Sequence, residues 1–155
     1  MSLPVSVNLM PTVKVETIVE LAQLSEKLGY RRCWVYDEGL HTRDVYVTLT
    51  SIAIATKNIL VGPGITNPYV RHPGITAAAI ASLDEVSKGR AFVGIGAGGG
   101  LTLNPLGIER LKPATTVAET VVALRGLFSG ERVDLEGNEF SLKSASLNYG
   151  RKNIE

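Results

Sequence analysis

The chain holds 155 residues, 45% of them hydrophobic and 20% charged, the make-up of one globular domain with a sizeable core. Its 16 basic and 15 acidic residues are interspersed and leave a net charge of +1, so there is no basic stripe to hold nucleic acid. The single cysteine, Cys33, excludes an internal disulfide and suits a reducing cytoplasm, no apolar run reaches the ~20 residues of a membrane helix, and Met1–Met10 lacks the regions of a signal peptide.

In chain order, Val5–Leu9 reads as a first strand. Val15, Ile18, Leu21, Ala22, Leu24 and Leu28 then recur at helical spacing, with Gly29 as a C-terminal cap. Cys33–Tyr36 reads as a second strand, followed by a helix over Asp44–Thr56. Ile59–Gly62 reads as a third strand, and its helix opens at Pro73 and ends near Gly89. Ala91–Ile95 reads as a fourth strand. After a long irregular lead-in, a fourth helix runs through Thr116, Val117, Val121, Leu124, Leu127 and Phe128 to Gly130. Val133–Leu135 and Phe140–Leu142 flank a Glu136-Gly137-Asn138 turn and predict a small hairpin. The tail Tyr149–Asn153 is polar, and Ile154-Glu155 begins a possible fifth strand.

Strand-helix alternation with apolar strands predicts an α/β fold, a parallel sheet covered by helices. Residues 1–155 form one unit in this reading. Two architectures fit: an open doubly wound sheet, or the N-terminal half of a (βα)8 TIM barrel, whose closed form needs ~250 residues.

Polar or glycine-rich residues follow all four strands: Asn8, Asp37-Glu38, Gly64-Ile65-Thr66-Asn67-Pro68 and Gly96-Ala97-Gly98-Gly99-Gly100. In a βα barrel this is the end where active sites form. Asp37 and Glu38 suit a cofactor hydroxyl or proton handling, and equally a solvated pair or a helix cap. Thr66 and Asn67 suit the edge of a planar heterocycle, and equally turn chemistry before Pro68.

Gly94-Ile95-Gly96-Ala97-Gly98-Gly99 matches GxGxxG, but Leu101–Gly107, with Asn104, Pro105 and Gly107, does not read as a helix start. Glu119, at the spacing of a ribose-binding acid, lies within a helix. The better reading is close backbone approach to a flat ligand. His41 is a loop residue, His72 reads as structural, and Cys33 as a buried small hydrophobe. These residues are too scattered to predict a metal site, and no GxSxG elbow is present. Arg43, Arg71 and Arg90 are expected to pair with Asp44, Asp84 or Glu85 rather than with a phosphate.

Gly62–Pro73 resembles the strand-three signature of the luciferase-like monooxygenase family in its coenzyme F420-dependent branch, which includes methylenetetrahydromethanopterin reductases. Ala81–Arg90, Gly94–Gly98, Asp37 and Arg43–Tyr46 resemble the same pattern, so the resemblance covers nearly the whole chain. It implies the N-terminal half of a TIM barrel and an oxidoreductase moving hydride between coenzyme F420, or FMN, and a small organic substrate. It implies that Asp37, Gly64, Ile65, Thr66, Asn67, Ala97 and Gly98 line the cofactor ring, with a non-proline cis peptide at Gly64-Ile65. Those reductases carry a glutamate near position 8, a histidine near position 38 and, in some, an acid near position 99, where this chain has Asn8, Glu38 and Gly99. Half a barrel leaves edges and an apolar interior uncovered, so the resemblance implies a homo-oligomer or a complementary half barrel. The other reading is a truncated, non-catalytic remnant that binds another chain or a flavin.

Overall fold

The computed structural model describes residues 5–150 and 152–155. Residues 1–4, the start of the Met1–Met10 stretch, and Arg151 in the polar tail lie outside the described residues.

Three strands, β1 (Ser6–Leu9), β2 (Arg32–Val35) and β3 (Leu60–Pro63), form a parallel sheet in the order β1-β2-β3. Helices α1 (Val15–Lys27), α2 (Val45–Ala55) and α3 (Pro73–Ser87) follow them in turn. Each boundary has a local cause. Asp44 caps α2 by accepting from the N–H groups of Tyr46 and Val47, at 2.9 and 3.0 Å. His72 Nδ1 caps α3 by accepting from Gly74 N, and Pro73 stands in its first turn. The expected structural role of His72 is this cap.

The register fixes two faces. Cys33 and Val61 point one way, as do Val35 and Pro63, and all four are buried. They pack with Ile18, Leu49, Ile52 and Ile80 of the helices into the main core. Asn8, Trp34 and Gly62 share the opposite, inner face. Trp34 meets Phe92 edge to face there, with ring centroids 4.4 Å apart. Gly62 is required for this: a Cβ would stand 2.2 Å from Phe92 O and 2.6 Å from its ring.

The fourth run lies beside β3 as expected, but not as a regular strand. It makes two isolated parallel bridges, Val61 with Ala91 and Thr66 with Ile95. Between them the β3 side has one residue more than its partner, which is the signature of a bulge and breaks the ladder. The cis Gly64-Ile65 peptide implied by the resemblance is present in this stretch. On the run's other side Val93 N donates to Glu155 O at 2.9 Å, but Ile154-Glu155 forms no strand where a fifth was expected to begin.

The lead-in to the fourth helix contains more order than its sequence predicts. A four-residue helix, α4 (Gly100–Leu103), and a 3-10 turn (Asn104–Leu106) replace the expected irregular segment. Buried Thr102 and Leu103 anchor them, so packing overrides the turn-forming Asn104, Pro105 and Gly107. Helix α5 (Pro113–Ser129) begins three residues before the expected Thr116 and ends at Gly130, φ +78°. The predicted hairpin is antiparallel β4 (Val133–Glu136) and β5 (Ser141–Ala145). Glu119 holds its turn, accepting from the N–H groups of Asn138 and Glu139. No helix among the described residues is long and apolar enough to cross a membrane.

Candidate functional site

Asp37 and Thr66 leave neighbouring strands at the same end of the sheet. The Thr66 hydroxyl donates to Asp37 Oδ2 at 2.7 Å, and Thr66 is fully buried. Burial pushes the Asp37 carboxyl above its ordinary pKa. The Thr66 hydrogen bond and the Arg71 guanidinium pull it back, while Asp44 and Glu38 add to the rise.

Asn67 is almost fully buried. Its Oδ1 accepts from the N–H groups of Tyr69 and Val70, both at 3.1 Å, which closes a turn before α3. The turn reading of Asn67 is therefore correct for its oxygen. Its amide nitrogen is turned to the glycine run: a Cβ on Gly98 would lie 3.3 Å from Nδ2 and 3.1 Å from Cγ. Gly98 has φ +68°, a conformation that favours glycine.

Ile65 projects from the bulge and is 44% exposed, unusual for an isoleucine surrounded by buried chain. Gly96 passes beneath it; a Cβ there would meet Ile65 Cδ1 at 2.0 Å. Ala97 is half-buried next to Gly98. The N–H groups of Ala97 and Gly98 donate to no described residue. Gly98 O accepts from Arg110 at 2.7 Å.

Five of the seven candidate residues thus form one patch, in which Ile65, Thr66 and Asn67 meet the Gly96–Gly98 run and Thr66 ties in Asp37. Gly64 and Ala97 join through their chain neighbours. The patch combines an apolar shelf, two free backbone donors, a carboxylamide and a half-buried carboxylate. Such a set fits a flat heterocycle with acceptor atoms along one edge.

The other singled-out residues lie elsewhere or serve the frame. Glu38 Oε2 accepts from the Thr102 hydroxyl at 2.8 Å and ties the loop after β2 to α4. Asn8 is exposed on the inner face of β1. His41 is exposed in a 3-10 turn, Gly39–His41. Cys33 is fully buried, and burial pushes its thiol up to about 12.

The three arginines use partners other than those expected. Arg43 donates to Thr12 O. Arg71 stacks on the Tyr46 ring, 4.4 Å from its centroid. Arg90 donates to the carbonyls of Ala53, Thr56, Ile59 and Ser87. The sequence marked Tyr46 only as part of the Arg43–Tyr46 segment, not as a site residue, and did not single out Arg110; only the fold brings both to this end of the sheet.

The luciferase-like monooxygenase family profile matches residues 3–153. The 5,10-methylenetetrahydromethanopterin reductase of Methanolobus tindarius is 38% identical over 143 residues, 92% of this chain and 44% of the relative. The F420-dependent hydroxymycolic acid dehydrogenase of Mycobacterium tuberculosis is 34% identical over 140 residues, 82% of this chain and 38% of that protein. The solved structure of a coenzyme F420-dependent tetrahydromethanopterin reductase from Methanopyrus kandleri superposes with a TM-score of 0.89 at 31% identity, over 98% of this chain and 47% of that one. The open sheet thus corresponds to half of a (βα)8 barrel, as the resemblance implies, and the doubly wound alternative falls. The chain spans less than half the length of these relatives, and it belongs to the luciferase-like monooxygenase family.

Proposed function

We propose that the patch of Asp37, Gly64, Ile65, Thr66, Asn67, Ala97 and Gly98 receives the ring of coenzyme F420, with FMN as the alternative. The chain then supplies half of an oxidoreductase that moves a hydride between this cofactor and a small organic substrate. One observation carries the reading. Residues separated by up to sixty positions converge into a shelf whose apolar member, Ile65, is exposed and whose neighbouring backbone donors are unused. The coenzyme F420 dependence of the Mycobacterium tuberculosis dehydrogenase and the Methanopyrus kandleri reductase supports F420 as the first choice.

When bound, the cofactor ring supplies the hydride chemistry. The chain's own residues place it. Ile65 offers apolar contact, the Ala97 and Gly98 N–H groups offer donors, and Asn67 Nδ2 offers a third. Thr66 holds Asp37 in one orientation beside the shelf. Asn8 stands where the resemblance implies a glutamate, so a proton donor on β1 is not part of this reading.

The activity requires the inner face of the sheet to be covered by a complementary half barrel or a second copy. At the sheet's open edge, between the fourth run and α5, Val93, Ile95, Leu124, Phe128 and Ile154 line a cavity of about 340 Å3 together with Arg125 and Glu155, and this uncovered edge supports the reading. Titration with oxidised coenzyme F420, followed by quenching of its fluorescence and with FMN as competitor, tests the proposal. Saturable binding that FMN does not displace is expected. Absence of binding in the presence of the relatives' C-terminal half would remove the patch as the cofactor site. A well-packed monomer in sedimentation would remove the covering chain.

A further inference from the structure

One polar atom near the patch has no structural use. The Tyr46 hydroxyl is buried and meets no partner at hydrogen-bond geometry. A buried, unpaired hydroxyl is costly, so such an atom calls for an explanation. Its ring is fixed from two sides. Tyr46 N donates to the Asp44 cap at the start of α2, and the Arg71 guanidinium lies 4.4 Å from the ring centroid. The ring therefore cannot withdraw toward solvent without losing the stack.

Its surroundings identify the nearest polar groups. Burial raises the Tyr46 pKa, and the hydroxyls of Thr66 and Thr76 lower it, so both stand within reach of the phenol oxygen. Thr66 has already committed its proton to Asp37 Oδ2 at 2.7 Å. Its oxygen keeps lone pairs free to accept. Asp37 Oδ1 makes no hydrogen bond to a described residue, and Asp37 borders a cavity of about 440 Å3 together with Asp44, Tyr46 and Arg71.

We propose that Tyr46 is a positioning residue for Asp37, acting through Thr66. The phenol O–H, unpartnered in the structure, turns to donate to Thr66 Oγ1, while Thr66 donates to Asp37 Oδ2. The pair of bonds opposes the upward pull of burial on the carboxyl and leaves Oδ1 to accept from a ligand O–H or N–H in the cavity. A donor into the Thr66 oxygen polarises its O–H and strengthens the bond to the carboxylate. The ligand role of Oδ1 rests on the proposed function, but the relay itself does not. The charged groups facing Asp37 are Asp44, Glu38 and Arg71, and the variants below leave all three in place.

The test is the titration of Asp37 by carboxyl carbon NMR, without ligand, in the parent chain, Tyr46→Phe, Thr66→Val and the double variant. Tyr46→Phe keeps the ring and the Arg71 stack. It is expected to raise the Asp37 pKa by roughly 0.2–0.5, as befits one hydrogen bond acting through another. Thr66→Val should raise it further, and Tyr46→Phe should add nothing on the Thr66→Val background. Thr66→Ser should restore the parent value. An unchanged or lowered Asp37 pKa in Tyr46→Phe overturns the relay, as does an equal effect on both backgrounds. Stability gives a second reading: loss of an idle buried hydroxyl leaves the chain equally or more stable, whereas loss of a donor destabilises it. If these titrations succeed and coenzyme F420 still fails to bind, the relay stands and the cofactor reading falls.

Discussion

Replacing Arg90 with alanine removes the group that closes the base of the sheet. Its guanidinium donates to Ser87 O, Ile59 O and Ala53 O at 2.7 Å and to Thr56 O and Thr56 Oγ1 at 3.1 Å. Ala53 and Thr56 end α2 and Ser87 ends α3, so one cation serves the carbonyl ends of two helices at once. A hydrogen bond to a charged group contributes about 1.5–3 kcal/mol. The bonds are not additive, and Arg90 is only half-buried, so water reaches some of the carbonyls that alanine would leave. We expect a loss of about 3 kcal/mol for Arg90→Ala, equivalent to roughly 6–12 °C in Tm for a domain of this size. Arg90→Lys keeps the charge but presents a single compact donor group, and should recover about half of that. Urea unfolding followed by circular dichroism measures both. A change below about 0.5 kcal/mol in Arg90→Ala would show that water replaces the guanidinium and that the base is not held by this residue.

Asn67→Asp should keep the turn, because Oδ1 still accepts from Tyr69 and Val70, while the amide donor facing Gly98 disappears. Coenzyme F420 binding should weaken about tenfold, and the chain should also lose some stability because the new carboxylate is almost fully buried; equal affinity removes Asn67 from the site. Gly98→Ala places a Cβ 3.1 Å from Asn67 Cγ at φ +68° and should destabilise by about 1–2 kcal/mol in thermal melts. Cys33 should resist thiol reagents up to high pH in the native chain and react fully in denaturant; rapid native labelling would contradict its burial. Glu26 accepts from the N–H groups of Lys57, Asn58 and Ile59. Burial, the largest single effect, raises its pKa, but the bonds from Asn58, Ile59 and Lys57 together with the Arg90 charge outweigh it and the folded pKa is lowered. Its contribution is therefore full above the unfolded carboxylate pKa and is lost as pH falls through the lowered folded value. Glu26→Gln should flatten the stability profile over that acidic window, measured by melts from neutral pH downward.

The first three strands, the helices that follow them and the hairpin were legible because each rests on a local signal. Apolar β-branched runs, the Asp44 and Pro73 helix starts and the glycines at helix ends act over a few residues and need no distant partner. The candidate patch was legible for a related reason: in a βα fold every strand delivers its exit loop to the same end.

What the sequence left undecided depends on distance in the chain. The broken ladder at the fourth run arises from a one-residue mismatch between two segments, which neither segment shows alone. Helix α4 forms because Thr102 and Leu103 find a core and Glu38 finds Thr102, against the turn-forming residues beside it. Asn67 could be assigned to turn or ligand only once its two ends were placed, one on Tyr69 and Val70, the other on Gly98. The arginines show the same division. Charge alone suggested carboxylate partners, while the fold brought helix carbonyls and an aromatic ring closer. Local propensity and periodicity decided which elements exist and in what order. Tertiary packing decided where the ladder breaks, which polar atoms are left over, and which face of the sheet stays open, because those depend on contacts between residues far apart in sequence.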